Sequence, residues 1–170
     1  MTSTLGTADD LRLRPPRHPV DERAVGYWRL GLVLVTAVPV VACVVPALLA
    51  PAAATPLLLA AAGVAALGGA GAALLPGRWF RWHRWEVTDT AVHARTGWFS
   101  RESRLAPMTR VQTVDTRRNP LEQWCGLATL VVTTASSRGA VTIEGLDHEL
   151  AAVLAARLGG VAEATEGDGT

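Results

Sequence analysis

The sequence predicts an α+β protein: a two-helix transmembrane hairpin, then a small antiparallel β-domain closed by a C-terminal capping helix. Three observations carry this. No charged residue occurs from Leu30 to Gly77. Short β-like runs separated by turn signals fill Trp82 to Ile143. From Asp147 the apolar period lengthens to that of a helix.

The chain opens with a flexible arm, residues 1–25, marked by Pro15, Pro16 and Pro19. The hairpin follows, residues 26–77. A membrane span takes about 20 apolar residues. Leu30–Ala50 supplies one and Pro56–Leu75 a second, with Pro51, Thr55 and Pro56 marking the turn. A single long helix would have to hold both Pro51 and Pro56. Pro39 and Pro46 fall inside the first span, where a membrane helix tolerates them. A cleaved signal peptide would place a shorter apolar core nearer the start, so the pattern favours two spans.

Arginine placement orients the hairpin. Arg12, Arg14, Arg17, Arg23 and Arg29 precede it, Arg78, Arg81 and Arg84 follow it, and the turn is uncharged. The positive-inside rule then puts both flanks, and so both termini, on the cytoplasmic side of the inner membrane. Tyr27, Trp28 and Arg29 at one edge, and Arg78, Trp79 and Arg81 at the other, suit membrane-interface anchors. Trp82 and Trp85 suit either that belt or the first strand of the domain. Ala61, Ala65, Gly69 and Ala73 recur at intervals of four and suit close packing against the first span or another chain. The spans hold no Asp, Glu, His or Arg, which argues against a transporter or pump and for an anchor.

The β-domain runs from residue 82 to 160. Arg84–Val87 leads into a turn at Thr88-Asp89-Thr90, and Ala91–Thr96 alternates until Gly97 breaks it. Phe99–Leu105 is polar and reads as an edge strand. Arg110–Thr116 alternates poorly, since Val111 and Val114 fall on opposite faces, as a bulge would allow. Asn119-Pro120 opens a short turn or helical piece that Gly126 stops. Ala128–Thr134 is the plainest strand. Ser136–Gly139 turns, and Val141 and Ile143 define a last strand. Asp147 caps a helix whose Leu150, Val153, Leu154 and Leu158 share a face, with Gly159 and Gly160 as its stop. Residues 161–170 read as a disordered tail.

Short antiparallel strands closed by a C-terminal helix follow the order of a pleckstrin-homology (PH) barrel, though physics alone does not separate this from other small barrels. The block Arg110-Val111-Gln112-Thr113-Val114-Asp115, then Asn119-Pro120-Leu121-Glu122-Gln123-Trp124-Cys125-Gly126-Leu127-Ala128-Thr129-Leu130, resembles the bacterial PH domain family of the YdbS type. The two-helix anchor directly before the domain is that family's layout too. Gln123 and Trp124 stand where the family often has Arg and a smaller apolar residue. The resemblance implies a membrane-anchored PH-like barrel that assembles with itself or with a second, larger PH-domain membrane protein. By analogy it also implies a role in envelope stress or defence.

Composition narrows the chemistry. The net charge is +1, so there is no bulk electrostatic case for nucleic acid. All sixteen basic residues are arginine, which with the alanine excess reads as codon bias. Cys43 and Cys125 imply no disulfide framework. His18, His83, His93 and His148 lack metal-ligand spacing, and no phosphate loop or nucleophile elbow is present, so no cofactor is expected. Asp115 and Glu122 suit structural capping near Asn119 better than paired-carboxylate chemistry. The chain therefore reads as a non-enzymatic interaction module. Arg101, Arg104, Arg110, Arg117 and Arg118 are candidate contacts for anionic headgroups of membrane lipids, or else a solvated strand and turn. A lipid-headgroup binder at the inner leaflet is the alternative function; Thr88-Asp89-Thr90 carries no base, which does not support specific phosphoinositide recognition. Pro120, Leu121 and Trp124 are either a partner surface or a plug closing the barrel.

Overall fold

The computed structural model describes residues 16–97, 102–135 and 139–167. The chain divides into two compact units: Val25–Arg78, and a second made from the residues on either side, up to Ala24 and from Trp79 onward.

The first unit is helical. Helix α1 (Arg23–Leu49) and helix α2 (Ala54–Trp82) are joined by a 3-10 turn at Pro51–Ala53. Both are long and apolar enough to cross a membrane. Their apolar side chains are turned outward: Val35, Val38, Leu48, Leu49, Leu67 and Leu74 are all exposed. Pro39 and Pro46 stay within α1, and Pro76 within α2. The helices come close at Gly68, where a Cβ would stand 2.2 Å from Thr36 Cγ2. Thr36 Oγ1 donates to Leu32 O at 2.7 Å, which fixes that side chain. Arg29 Nε reaches across to Ala72 O at 3.3 Å.

The face of α2 that packs against α1 is therefore not the expected four-residue stripe. Ala61 is buried, but Ala65, Gly69 and Ala73 are exposed. Contact instead follows Ala61, Gly68 and Ala72. Steps of four overshoot a turn of 3.6 residues and drift around the helix, whereas alternating steps of seven and four stay on one side.

The second unit holds two antiparallel sheets. One has the order β1-β2-β3-β4: His18–Pro19, Arg84–Val87, Ala91–Thr96 and Glu102–Pro107. The other has the order β5-β6-β7: Val111–Arg117, Leu127–Thr134 and Val141–Asp147. Short helix α3 (Pro120–Cys125) joins β5 to β6, and helix α4 (His148–Gly167) ends the described chain. β6 alternates buried and half-buried residues as its sequence predicts, with Leu127, Leu130 and Val132 in the core. β7 adds Val141, Ile143 and Leu146 from the same side.

Two register shifts explain where alternation fails. β5 carries an extra residue between Val111 and Thr113, so both valines stay half-buried despite their odd spacing. β7 carries one opposite Ala128–Leu130, at Gly145, whose φ of 73° suits glycine.

The antiparallel strands form two hydrogen-bonded sheets, as the expected PH-like order allows. β4 and β7 approach along a seam bridged by the Arg104 side chain, and α4 packs along β5, β6 and β7. Three sequence expectations are corrected. Residues 16–24 are not a free arm, because β1 pairs with β2 (His18↔Trp85, Pro19↔Arg84) and Val20 and Ala24 are buried. Helix α4 buries Ala151, Leu154 and Leu158, leaving Leu150 and Val153 exposed. It also runs through Gly159 and Gly160 to Gly167, since neither glycine takes the positive φ that ends a helix. The edge strand begins at Glu102, and Phe99–Arg101, Ser136–Arg138, the first fifteen residues and the last three lie outside the described residues.

The close crossing makes a prediction. Gly68→Ala should destabilise the purified chain in mild detergent by about 1–3 kcal/mol, because Thr36 has no flexible end to swing away. Gly69→Ala, which meets nothing within 4 Å, should cost nothing in the same thermal-unfolding measurement.

Candidate functional site: the α3 corner and the N-terminal latch

Helix α3 begins with a capping box. Asn119 Oδ1 accepts from Glu122 N at 2.8 Å, and Glu122 Oε2 accepts from Asn119 N at 2.8 Å. Pro120 follows the cap, where its missing N–H costs nothing. Gly126 ends the helix with a φ of 69°. Glu122 Oε1 also accepts from Thr129 Oγ1 at 2.7 Å. Glu122 is thus buried and committed to structure, as the capping reading of Asn119 and Glu122 expects.

That burial decides where the rest of the helix points. Glu122 takes the inward place, Leu121 and Cys125 are half-buried, and Pro120 is exposed. Trp124, two residues past Glu122 and so roughly on the opposite side of the helix, is 78% exposed. The plug reading is wrong for Trp124; Pro120 and Trp124 are surface.

The five candidate arginines do not form one group. Arg101 lies outside the described residues. Arg104 pairs with Glu102 at 2.8 Å and donates through Nη1 to Ala140 O at 2.7 Å. It lines a cavity of about 170 Å³ along the β4–β7 seam, with Glu102, Thr142 and Glu144. Arg110 precedes β5 and Arg117 ends it, so they stand roughly 20 Å apart at ~3.3 Å per residue. Arg117 and Arg118 are both exposed beside α3. Arg118 Nε donates to Leu127 O at 3.0 Å, and Gln123 Nε2 to Arg118 O at 3.5 Å, which ties the pair to the helix. Structure thus joins Arg117 and Arg118 to the Trp124 surface and separates them from Arg104 and Arg110.

The edge residues also divide. Arg29, Arg78 and Arg81 are exposed and Tyr27 is half-buried. Trp28 and Trp79 are only 2% and 3% exposed. Trp82 ends α2 under the Arg95 guanidinium, 4.4 Å from the ring centroid. Trp85 belongs to β2, and its Nε1 donates to Pro19 O at 3.1 Å.

The residues just before α1 form a latch that the sequence did not reveal. Asp21 N donates to Gly145 O at 2.8 Å, at the β7 bulge. Arg23 binds Asp21 through Nε at 2.9 Å and reaches Asp147 through Nη2. Its guanidinium also lies against Gly126, where a Cβ would stand 2.7 Å from Nη1. Asp147 at the same time caps α4, accepting from Glu149 N at 2.9 Å and Leu150 N at 3.3 Å. The Arg23 side chain, hydrogen-bonded to both, holds the Asp147 and Asp21 carboxyls below the usual carboxylate value. Burial pushes His93 below its ordinary value, and its Nε2 meets Ser103 Oγ at 2.8 Å. Among the described residues, no three His, Cys, Asp or Glu side chains are placed to hold a metal.

The family model for the bacterial PH domain matches residues 30–162. No curated protein and no solved structure matches the chain. The match starts after β1, so the latch segment lies outside it.

The latch carries a pH signature. Both carboxyls titrate lower when folded, so their pairing with Arg23 stabilises fully above the ordinary carboxylate value of 3.8 and is lost as pH falls through the lowered values. Arg23→Gln should therefore lower the thermal midpoint by a constant amount at neutral pH, and the gap from wild type should close on acidification below that value.

Proposed function

The chain belongs to the bacterial PH domain family, and from that premise we propose that it is a membrane-anchored interaction module rather than an enzyme. The observation that carries this is the join between anchor and domain. Strand β1 precedes the helical pair, β2 follows it, and the two strands pair. The helical pair is thus inserted within one folded domain, with no free linker at either end. Both ends of a hairpin built this way lie on one side of a bilayer, and the flanking arginines make that side the cytoplasmic one. The module would be held within reach of partners in the same membrane, where tethering raises effective concentration.

Its partner is a second copy of itself or another PH-domain membrane protein, the YdbS-like arrangement. The side chains that chemistry would need support a non-catalytic reading: Glu122 is spent on the cap, His93 is packed against Ser103, and Asp147 is shared between cap and latch.

The test uses thiols, because the chain has no lysine for amine reagents. In native membranes, a membrane-permeant bis-maleimide should join Cys125 of a Cys43→Ala chain into dimers or heavier adducts. An impermeant reagent given to intact cells should give none. Monomer alone with the permeant reagent would contradict assembly, and adducts with the impermeant one would contradict the orientation.

A further inference from the structure

The α3 corner presents Arg117 and Arg118 outward, with exposed Asp115 before them on β5 and exposed Glu149 in the first turn of α4. From Thr116 to Leu127 the ionisable side chains are Arg117, Arg118, Glu122 and Cys125. Glu122 is buried in the capping box, so the charge this stretch shows outward is that of the two arginines. Beside them stand Pro120, Gln123 and Trp124, all exposed. A wide-open indole flanked by guanidinium groups suits the lipid interface, where tryptophan seats at headgroup level and arginine forks meet phosphate.

The corner also stands close, along the chain, to where the apolar stretch begins. Gly126, at the end of α3, lies against the Arg23 side chain, and Arg23 is the first residue of α1. The uncharged stretch starts at Leu30, about 10 Å further along that helix at ~1.5 Å per residue. A headgroup layer is itself about 5–7 Å deep on each face. The corner is thus tethered by a short length of chain to the start of the apolar stretch. His148 N donates to Gly126 O at 3.2 Å, which brings the first turn of α4, with half-exposed Leu150, to the same end of the domain.

We propose that the α3 corner is a peripheral membrane contact in which Trp124 seats in the interfacial layer of an anionic bilayer while Arg117 and Arg118 meet its phosphates. The contact rests on the reading that α1 and α2 lie in that bilayer. It would act as a third foot, limiting how the domain can swing on its two helices and so which surface it offers to a partner.

The test keeps the full chain. With Cys43→Ala and Cys125→Ala as background, Gln123→Cys carries an environment-sensitive fluorophore, and Val38→Cys carries it in a second sample as the hairpin control. Each is reconstituted into vesicles of phosphatidylcholine alone, or of seven parts phosphatidylcholine to three parts phosphatidylglycerol. The expected result is a blue-shifted label at position 123 in the anionic vesicles, quenched by nitroxide-labelled lipid and shielded from iodide. Trp124→Ser, or Arg117→Ala with Arg118→Ala, should return it to an aqueous spectrum; these side chains are exposed, so the fold should survive. A water-like label at 123 beside a quenched label at Val38 would overturn the foot alone. An unquenched Val38 label would overturn the hairpin reading and the foot with it. Shielding at 123 that grows with the protein-to-lipid ratio would assign the corner to a second copy, against the proposal.

Discussion

Arg23 stands where three parts of the chain meet. Its guanidinium binds Asp21 beside it and Asp147 far along the sequence, and it lies against the backbone of Gly126. Through Asp147 it touches the cap of α4, and through Asp21 it touches the β7 bulge at Gly145. With the β1–β2 pair and the Trp85–Pro19 hydrogen bond, this docks the segment before α1 onto the domain that follows α2. An exposed ion pair is worth little alone. Here it works beside buried Val20 and Ala24 and a strand pair, so the segment is held by several weak terms acting together.

This docking makes the helical pair an insertion in a domain rather than a leader attached to one. The difference matters mechanically. A domain that follows its helices is joined to them at one point, whereas this one is joined to the helical pair at both ends. The capped corner at α3 lies against Arg23, where one of those joins begins. Burial of Glu122 inside the capping box leaves that corner with arginine and an open indole as its outward chemistry.

Much of the fold was legible in the sequence for simple reasons. The charge-free run from Leu30 to Gly77 folds as two helices long and apolar enough to cross a membrane, and β6 alternates because one face is core. Asn119, Gly126 and Asp147 announce helix ends through chemistry that is local. What was not legible depends on distance or phase. Nothing near Arg23 in sequence announces Asp147, so residues up to 25 read as an arm. The stripe on α2 was misplaced because spacing of four is only an approximate helical repeat. Trp124 was ambiguous because a helix as short as α3 shows no periodicity, and its inward position went to Glu122, a residue that composition assigns to the surface. Gly159 and Gly160 read as a stop, although glycine ends a helix only where the backbone turns left-handed.

The central claim is that the residues before α1 complete the domain that follows α2. The most direct measurement compares two soluble chains lacking the helical pair. One joins residues 16–24 through a flexible glycine-serine linker to residues 79–167, and the other holds 79–167 alone. The account predicts that the joined chain unfolds cooperatively, with protected amides at Asp21 and in β2, while the shorter chain unfolds at a clearly lower temperature. Equal thermal midpoints for the two, with residues 16–24 exchanging at solvent rates in the joined chain, would contradict it.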